Sequence, residues 1–189
     1  MKQTTLKIAS IMILALSFMS FTILNDVKVD VSKSEVIWKG YKVTGQHEGT
    51  ITLKEGTLMF DGETLTGGNF VMDMTSINTT DLEGDYKAKL DGHLKSADFF
   101  GVEAHPEAVL EFIKVNGSGK TYYVTANLTI KGKTNEVKFP LLMTENGASA
   151  ELKIDRSKYD VRYGSTSFFD NLKDKAIYDE FDLNVNLVF

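Results

Sequence analysis

The amino-acid sequence predicts an all-β protein whose strands form either an antiparallel sandwich or a closed barrel. Apolar and polar residues alternate along most of the chain, which is typical of strands with one face toward a core and the other toward water. Turn sequences rich in Gly, Asn and Asp separate eight or nine such segments. Closing the sheet into a barrel removes exposed strand edges, which otherwise invite edge-to-edge association.

The first half of the chain is predicted to contain four strands and one helix. The strands are expected at residues 36–43, 49–53, 57–60 and 68–75, with turns at 54–56 and 61–62. Thr80 and Glu83 have the spacing of a capping box, which marks the start of a helix. A helix is therefore expected over residues 81–95, and the residues that recur on its face are Tyr86, Leu90, His93 and Leu94.

The second half is predicted to contain five strands and a second short helix. The strands are expected at residues 108–115, 121–130, 137–144, 148–154 and 181–189, with turns at 116–119, 131–133 and 146–147. Ser167 is a candidate cap for a helix that begins at Phe168. The residues that would share one face of this helix are Phe169, Leu172, Lys173 and Ala176.

Residues 1–24 are predicted to form a secretory signal peptide. Lys2 and Lys7 precede an almost wholly apolar run at residues 8–24, and no acidic residue occurs before Asp26. The domain at 25–189 would then be exported to the periplasm or the cell exterior, with no stable membrane span after cleavage. An uncleaved anchor is the alternative, although the run is slightly short of the ~20 residues that span a bilayer comfortably.

Charge and composition exclude several classes of partner and of fold. The formal net charge is −5, and loss of Lys2 and Lys7 with the leader makes it −7. Such a surface repels nucleic acid and anionic lipid headgroups. Cysteine is absent, so no disulfide framework holds the fold. Stability must therefore come from apolar burial, for which the chain has 12 Phe and 7 Tyr residues.

No catalytic site, metal site or cofactor is predicted. The chain lacks a Gly-x-Ser-x-Gly nucleophile elbow and has no Cys nucleophile. His47, His93 and His105 do not fall at i, i+4 spacing or in a His-x-His pair, which argues against zinc binding.

Two polar residues have alternative interpretations. His93 either hydrogen-bonds a ligand headgroup at the mouth of a cavity or fixes the first helix to the barrel wall. Arg156 follows Leu152 and Ile154 with the same inward parity, and a buried guanidinium needs a partner. That partner is either a phosphate or carboxylate headgroup or an internal acid. The internal candidates are Asp73, Asp81 and Asp98.

The apolar interior also has two interpretations. An eight-stranded barrel is near the size at which side chains either fill the interior or enclose a ligand. Methionine is an adaptable lining residue and equally ordinary core filler. The residues that would line a cavity or pack into a solid core are Phe70, Met72, Met74, Val124, Leu128, Phe139, Leu141, Leu152, Phe181 and Leu183.

One segment carries a specific likeness. Residues 92–100 read Gly-His-Leu-Lys-Ser-Ala-Asp-Phe-Phe, which closely resembles the signature of the YceI family of bacterial lipid-binding, lipocalin-like barrels. Other patterns of that family follow in the same order and spacing over nearly the whole predicted domain. They lie at residues 36–40, 47–49, 65–70, 73–77, 128–132 and 154–156, and at Pro106.

The resemblance implies an eight-stranded antiparallel lipocalin-like β-barrel with two short helical segments covering one end. It also implies an exported, non-catalytic protein that holds an isoprenoid or another long-chain amphiphilic lipid in the barrel, as a homodimer in many members. The residues then expected to contact the lipid are Trp38, Phe70, Met72, Met74, Leu90, His93, Leu94, Phe99, Phe100, Leu128, Phe139, Leu141, Arg156, Phe169 and Phe181.

Two other functions are alternatives to lipid storage or transport. A hydrolase or isomerase acting on a lipid would use His93 or His47 as its general base. A stress-response or interaction module of the cell envelope would have a solid core and an exposed apolar patch. An internal cavity, and the polar groups that face it, distinguish these functions from one another.

Overall fold

The computed structural model describes residues 24–189, which form a strand-rich domain. The predicted signal peptide therefore lies outside the described residues, apart from Leu24. The elements, in chain order, are β1 (Leu24–Lys28), β2 (Glu35–Lys42), β3 (Gly45–Asp61), β4 (Thr64–Thr79), α1 (Gly84–Lys95), β5 (Glu107–Ser118), β6 (Thr121–Ile130), β7 (Lys133–Thr144), β8 (Gly147–Asp155) and β9 (Ile177–Val188). Short 3₁₀ helices lie at Arg156–Tyr159 and Lys173–Lys175.

Strands β2 to β9 close into an antiparallel barrel. The neighbours run in the order β3, β2, β9, β8, β7, β6, β5 and β4, and β4 pairs again with β3. Strand β1 extends the wall by pairing with the far end of β3, where Val27 lies opposite Leu58. The predicted eight-stranded barrel is confirmed, because the β3–β4 pairing excludes an open sandwich.

The alternation of apolar and polar residues sets the inward and outward faces. In β6 the side chains of Tyr122, Val124 and Ala126 are buried, as are Leu128 and Ile130. The hairpin that follows turns at Lys131 and Gly132, whose φ values of 51° and 70° match a two-residue turn of type I′. The predicted inward set and turn of this hairpin are confirmed.

The prediction of two separate strands at 49–53 and 57–60 is wrong. Residues 54–56 are not a turn, since β3 runs through them from Gly45 to Asp61. The β3–β4 register shifts between Thr50 and Thr52 and again before Glu55. Such bulges bend a strand and increase its twist, so one long strand curves around the barrel where the sequence suggests a hairpin.

The prediction of a capping box at the first helix is also wrong. Helix α1 begins at Gly84, and its N-cap residue Glu83 makes no side-chain cap. The Thr80 hydroxyl donates instead to the Glu48 carbonyl, at 3.3 Å. Of the predicted face, Leu94 is buried whereas Tyr86 is 74% exposed.

The described residues contain no helix with the length and apolar character needed to cross a bilayer.

The predicted second helix from Phe168 does not form. Only Lys173–Lys175 are helical, as a single 3₁₀ turn. Asn171 and Lys173 have φ values of 61° and 50°, in the left-handed region that interrupts a right-handed helix. The segment between the 3₁₀ helix at Arg156–Tyr159 and β9 is therefore mostly irregular, and α1 is the one α-helix of residues 24–189.

Candidate ligand-binding cavity

The interior of the barrel encloses open space. The cavity has a volume of about 170 Å³, and its wall consists almost wholly of apolar atoms. Inward-facing side chains from β2 and from β4 to β9 supply most of this wall. The interpretation of the interior as a solid core is therefore wrong.

Most of the residues predicted to contact a ligand lie around this cavity. Leu152 and Leu183, also predicted to face the interior, line it as well. The lining residues among the predicted contacts are Trp38, Phe70, Met72, Met74, Leu94, Phe99, Phe100, Leu128, Phe139, Leu141, Arg156 and Phe181.

Three predicted contact residues lie elsewhere. Leu90 packs against the core from α1, His93 packs against Phe99 and Tyr163, and Phe169 is exposed on the irregular segment before β9. None of the three lines the cavity. Val124 is buried without reaching it.

The segment around residues 96–105 builds the cover of one barrel end. Its turns are fixed by backbone bonds from Phe100 to the Leu94 carbonyl, at 3.1 Å, and from Gly101 to the Ser96 carbonyl, at 2.7 Å. Lys131 donates to the Phe99 carbonyl at 2.9 Å, which ties the cover to the β6–β7 hairpin. The adjacent aromatic pair, Phe99 and Phe100, is thereby positioned over the cavity.

His93 makes the contacts of a structural residue. Its ring meets Phe99 edge-on at 5.5 Å and Tyr163 at 4.3 Å between centroids. Its Nε2 atom is buried and has no hydrogen-bond partner among the described residues. His93 thus joins α1 to the cover and to the segment after β8, and it does not face the cavity.

Arg156 faces inward, as its parity predicts, and is 2% exposed. Its guanidinium donates to three backbone carbonyls: Tyr178 at 3.1 Å, Val161 at 2.8 Å and Ile177 at 3.0 Å. It also stacks on Phe99, at 5.3 Å. Burial lowers the pKa of Arg156 from its ordinary value, but a guanidinium stays charged in proteins.

The acidic partner of Arg156 is not one of the predicted three. Asp179 lies 3.4 Å from Arg156 Nη2. Asp73 instead accepts from Thr75, and Asp81 contacts His47 at 3.0 Å; Asp98 is exposed on the cover. The alternation of inward and outward residues correctly predicted that Arg156 faces inward. It contains no information on which residue of the neighbouring strand β9 lies beside the guanidinium, and that residue is Asp179.

Sequence reasoning missed a group of lining residues where β2 and β9 diverge. Gly40, Tyr41 and Tyr178 all line the cavity. Tyr178 is 54% exposed, so one residue of the lining lies largely at the protein surface. The alternation in β2 already placed Gly40 on the inward side with Val36 and Trp38, which is the signal that could have identified it.

Residues 24–189 contain no cluster of three or more His, Cys, Asp or Glu side chains arranged to hold a metal ion. His47 and Asp81, two residue types that can bind metals, contact each other, but neither residue lines the cavity.

The barrel is similar to several solved structures. BcnA of Burkholderia cenocepacia superposes with a TM-score of 0.69 at 24% identity, over 85% of this chain and 99% of that chain. A polyisoprenoid binding domain from Saccharophagus degradans gives 0.57 at 13% identity, over 88% and 97%. The YceI protein of Campylobacter jejuni gives 0.54 at 18% identity, over 98% and 96%. These likenesses show the fold.

Curated relatives match over shorter segments. A UPF0312 protein of Pectobacterium carotovorum is 36% identical over 72 residues, which are 38% of this chain and 37% of the relative. A UPF0312 protein of Pectobacterium atrosepticum is 32% identical over 93 residues, or 49% and 46%. The chain thus matches less than half the length of these relatives. The longer match, over residues 27–189, is to the YceI-like domain, and the chain therefore belongs to the YceI-like family.

Proposed function

We propose that this protein is an exported, non-catalytic binding protein that holds the apolar tail of an isoprenoid or another long-chain amphiphilic lipid inside its barrel. The observation that carries this proposal is the apolar cavity along the barrel interior. The Saccharophagus degradans neighbour, described as a polyisoprenoid binding domain, favours an isoprenoid among the candidate tails.

The chemistry of the wall favours binding over catalysis. Among the residues that line the cavity, only Tyr41, Arg156 and Tyr178 carry a titratable group. Arg156 is engaged by backbone carbonyls, and no imidazole or carboxylate side chain belongs to the lining. A general base must reach the proton that it removes, and His93 and His47 do not face this space.

Burial of the tail supplies the main favourable contribution to binding. Each buried CH₂ group contributes about 0.8 kcal/mol, so about ten such groups contribute about 8 kcal/mol before the costs of association and ordering. This apolar contribution to the binding free energy requires no charged contact. Contacts to the headgroup would mainly select among lipids.

The volume limits how much tail fits without adjustment. An apolar cavity of about 150 Å³ takes up a molecule such as benzene, so the present 170 Å³ accepts a short section of a chain. A longer section requires the lining to open. Met72 and Met74 are suited to this because an unbranched thioether side chain changes rotamer readily.

Native mass spectrometry tests the proposal. The protein, exported from a bacterial host and purified without detergent, should carry one hydrophobic adduct per chain, which an organic extraction then releases for identification. The same spectra report whether the protein is a homodimer. A protein that shows only its bare mass, and that fails to bind dansyl-labelled undecanoic acid saturably, would contradict the proposal.

Competition distinguishes the class of tail. Farnesol and hexadecanol are both uncharged alcohols of similar carbon number, and each is titrated against the bound dansyl probe. We expect farnesol to compete more strongly if an isoprenoid is the ligand. Stronger competition by hexadecanol assigns the cavity to straight-chain lipids instead.

A further inference from the structure

The pairing of β2 with β9 is interrupted at one place in the barrel wall. Gly40 lies opposite Phe181, but the next paired residues are Lys42 and Ile177. Tyr41 therefore faces the stretch 178–180 of β9, where the register shifts. Extra residues on one strand bend it away from its partner and disrupt the ladder.

Arg156 holds the diverging backbone of β9 in place. Its Nε and Nη2 atoms donate to the carbonyls of Tyr178 and Ile177, at 3.1 and 3.0 Å. Tyr178 belongs to the stretch that has left the regular ladder with β2, and Ile177 is the residue at which the pairing with β2 resumes. Because an unpaired buried carbonyl is costly, the guanidinium stabilises the break and acts as a positioning residue for it.

The cavity has free space at the break. Gly40 lines the cavity, and a Cβ atom added to it would meet nothing within 4 Å. Tyr178 is the one lining residue whose side chain is largely exposed, and the others are buried or half-buried. The lining of the cavity therefore includes both free space and a surface residue at the break between β2 and β9.

The covered end of the barrel offers no comparable exit. Leu94 and Phe99 are buried there, and Lys131 ties the cover down through the Phe99 carbonyl. Beside the break, by contrast, Phe168 and Phe169 are exposed. The Ser167 hydroxyl donates to Asp179 at 2.6 Å, which holds this aromatic segment against the diverging stretch of β9.

We propose that the lipid tail enters and leaves through a lateral portal between β2 and β9, bounded by Gly40, Tyr41 and Tyr178. This inference rests on the proposed function. The tail passes inward over Gly40, and the headgroup stays outside, near the two tyrosines and the exposed Phe168 and Phe169. Arg156 shapes the portal and leaves the headgroup unbound, because its N–H groups serve the backbone.

A single-cysteine experiment tests the portal, because the chain contains no Cys. Tyr178→Cys is labelled with maleimide-linked polyethylene glycol, and stopped-flow fluorescence measures the association and dissociation of dansyl-labelled undecanoic acid. Tyr123→Cys, which is 63% exposed on β6 and does not line the cavity, receives the same label as a control. Lys42→Cys, an exposed position beside the break, provides a second site at the portal.

We expect the label at 178 or 42 to slow association by about tenfold or more, since a blocked route lowers the rate of productive encounter. The label at 123 should change it by less than about twofold. Unchanged rates at both portal sites, or an equal slowing at 123, would overturn the portal while leaving lipid binding intact. If the unlabelled protein fails to bind the probe, the proposed function and the portal are both overturned.

Discussion

The Arg156 side chain donates a hydrogen bond from Nε to the backbone carbonyl of Tyr178, at 3.1 Å. This bond joins the end of β8 to the stretch of β9 that has separated from β2. A buried charge thereby serves the backbone of the wall, in a position where the sequence left a headgroup and an internal acid as alternative partners.

Replacement of Arg156 by Met should destabilise the protein strongly. The variant removes the donor to three backbone carbonyls and the cation beside Asp179, and breaking a buried charge network costs about 3 kcal/mol or more. Urea denaturation followed by circular dichroism measures the change. Arg162→Met is the matched control, since its ion pair with Asp160 is exposed and an exposed ion pair contributes little to stability. Equal losses in the two variants would contradict this role.

Replacement by alanine should reduce stability strongly at one glycine and only slightly at another glycine on the neighbouring strand. A Cβ atom at Gly49 would overlap the Asn78 carbonyl oxygen and lie 2.6 Å from the Trp38 ring, so Gly49→Ala should cost about 3 kcal/mol. Gly40→Ala meets open space and has no left-handed φ, so the change should stay within about 1 kcal/mol. Thermal unfolding of both variants measures this difference in stability. A Gly49→Ala variant that unfolds at the same temperature as the wild type would contradict the prediction.

Asp91 should contribute a pH-dependent part of the stability. Burial favours a higher pKa for this carboxyl, but hydrogen bonds from Thr79 and Lys87 outweigh it and hold the pKa below 3.8. The folded state thus favours the carboxylate, so the contribution is complete above the unfolded pKa of about 3.9 and is lost as pH falls through the lower folded value.

Asp91→Asn keeps an oxygen that can accept from the Thr79 backbone N–H and removes the charge opposite Lys87. Its free energy of unfolding should lie below that of the wild type at pH 7, and the two curves should converge as pH falls from about 5 to about 2. Urea titrations at several pH values measure this difference. Asp85→Asn, at an exposed position of the same helix, is the control. A difference that stays constant with pH would show that the charge of Asp91 contributes nothing.

Tyr159 has a hydroxyl that the fold does not use. The residue is 1% exposed, and its hydroxyl finds no hydrogen-bond partner among the described residues. Burial, and then the charge of Asp155, raise its pKa to about 12. Since an unpaired buried polar group is unfavourable, Tyr159→Phe should be neutral or stabilising by about 1 kcal/mol. A loss of stability in calorimetry would show instead that the hydroxyl has a bound partner.

Much of the barrel could be predicted because its information is local. The alternation in β6 and the turn at Lys131 and Gly132 are fixed by neighbouring residues, and both are confirmed. The single long strand β3 could not be predicted from Lys54, Glu55 and Gly56. These residues are typical of a turn, and the pairing of Glu55 and Gly56 with β4 keeps the strand extended through them.

The site could be predicted in its walls but not at its opening. Parity identifies inward residues such as Phe70 and Leu128 without any knowledge of their neighbours. The acid beside Arg156, and the break that exposes Tyr178, depend on how β9 is registered against β2 and β8. That register is a long-range property, and no pattern within either strand specifies it.

Filling the cavity from its own wall shows whether the lipid tail occupies this space. Gly40→Phe places an aromatic ring in the open space beside β2, and Gly92→Phe places the same ring on an exposed position of α1. Titration with dansyl-labelled undecanoic acid gives the dissociation constant, and thermal unfolding confirms that each variant is folded. We expect Gly40→Phe to lose about tenfold or more in affinity, equivalent to about 1.4 kcal/mol, and Gly92→Phe to bind the probe like the wild type. A folded Gly40→Phe variant that binds the probe as tightly as the wild type would contradict it.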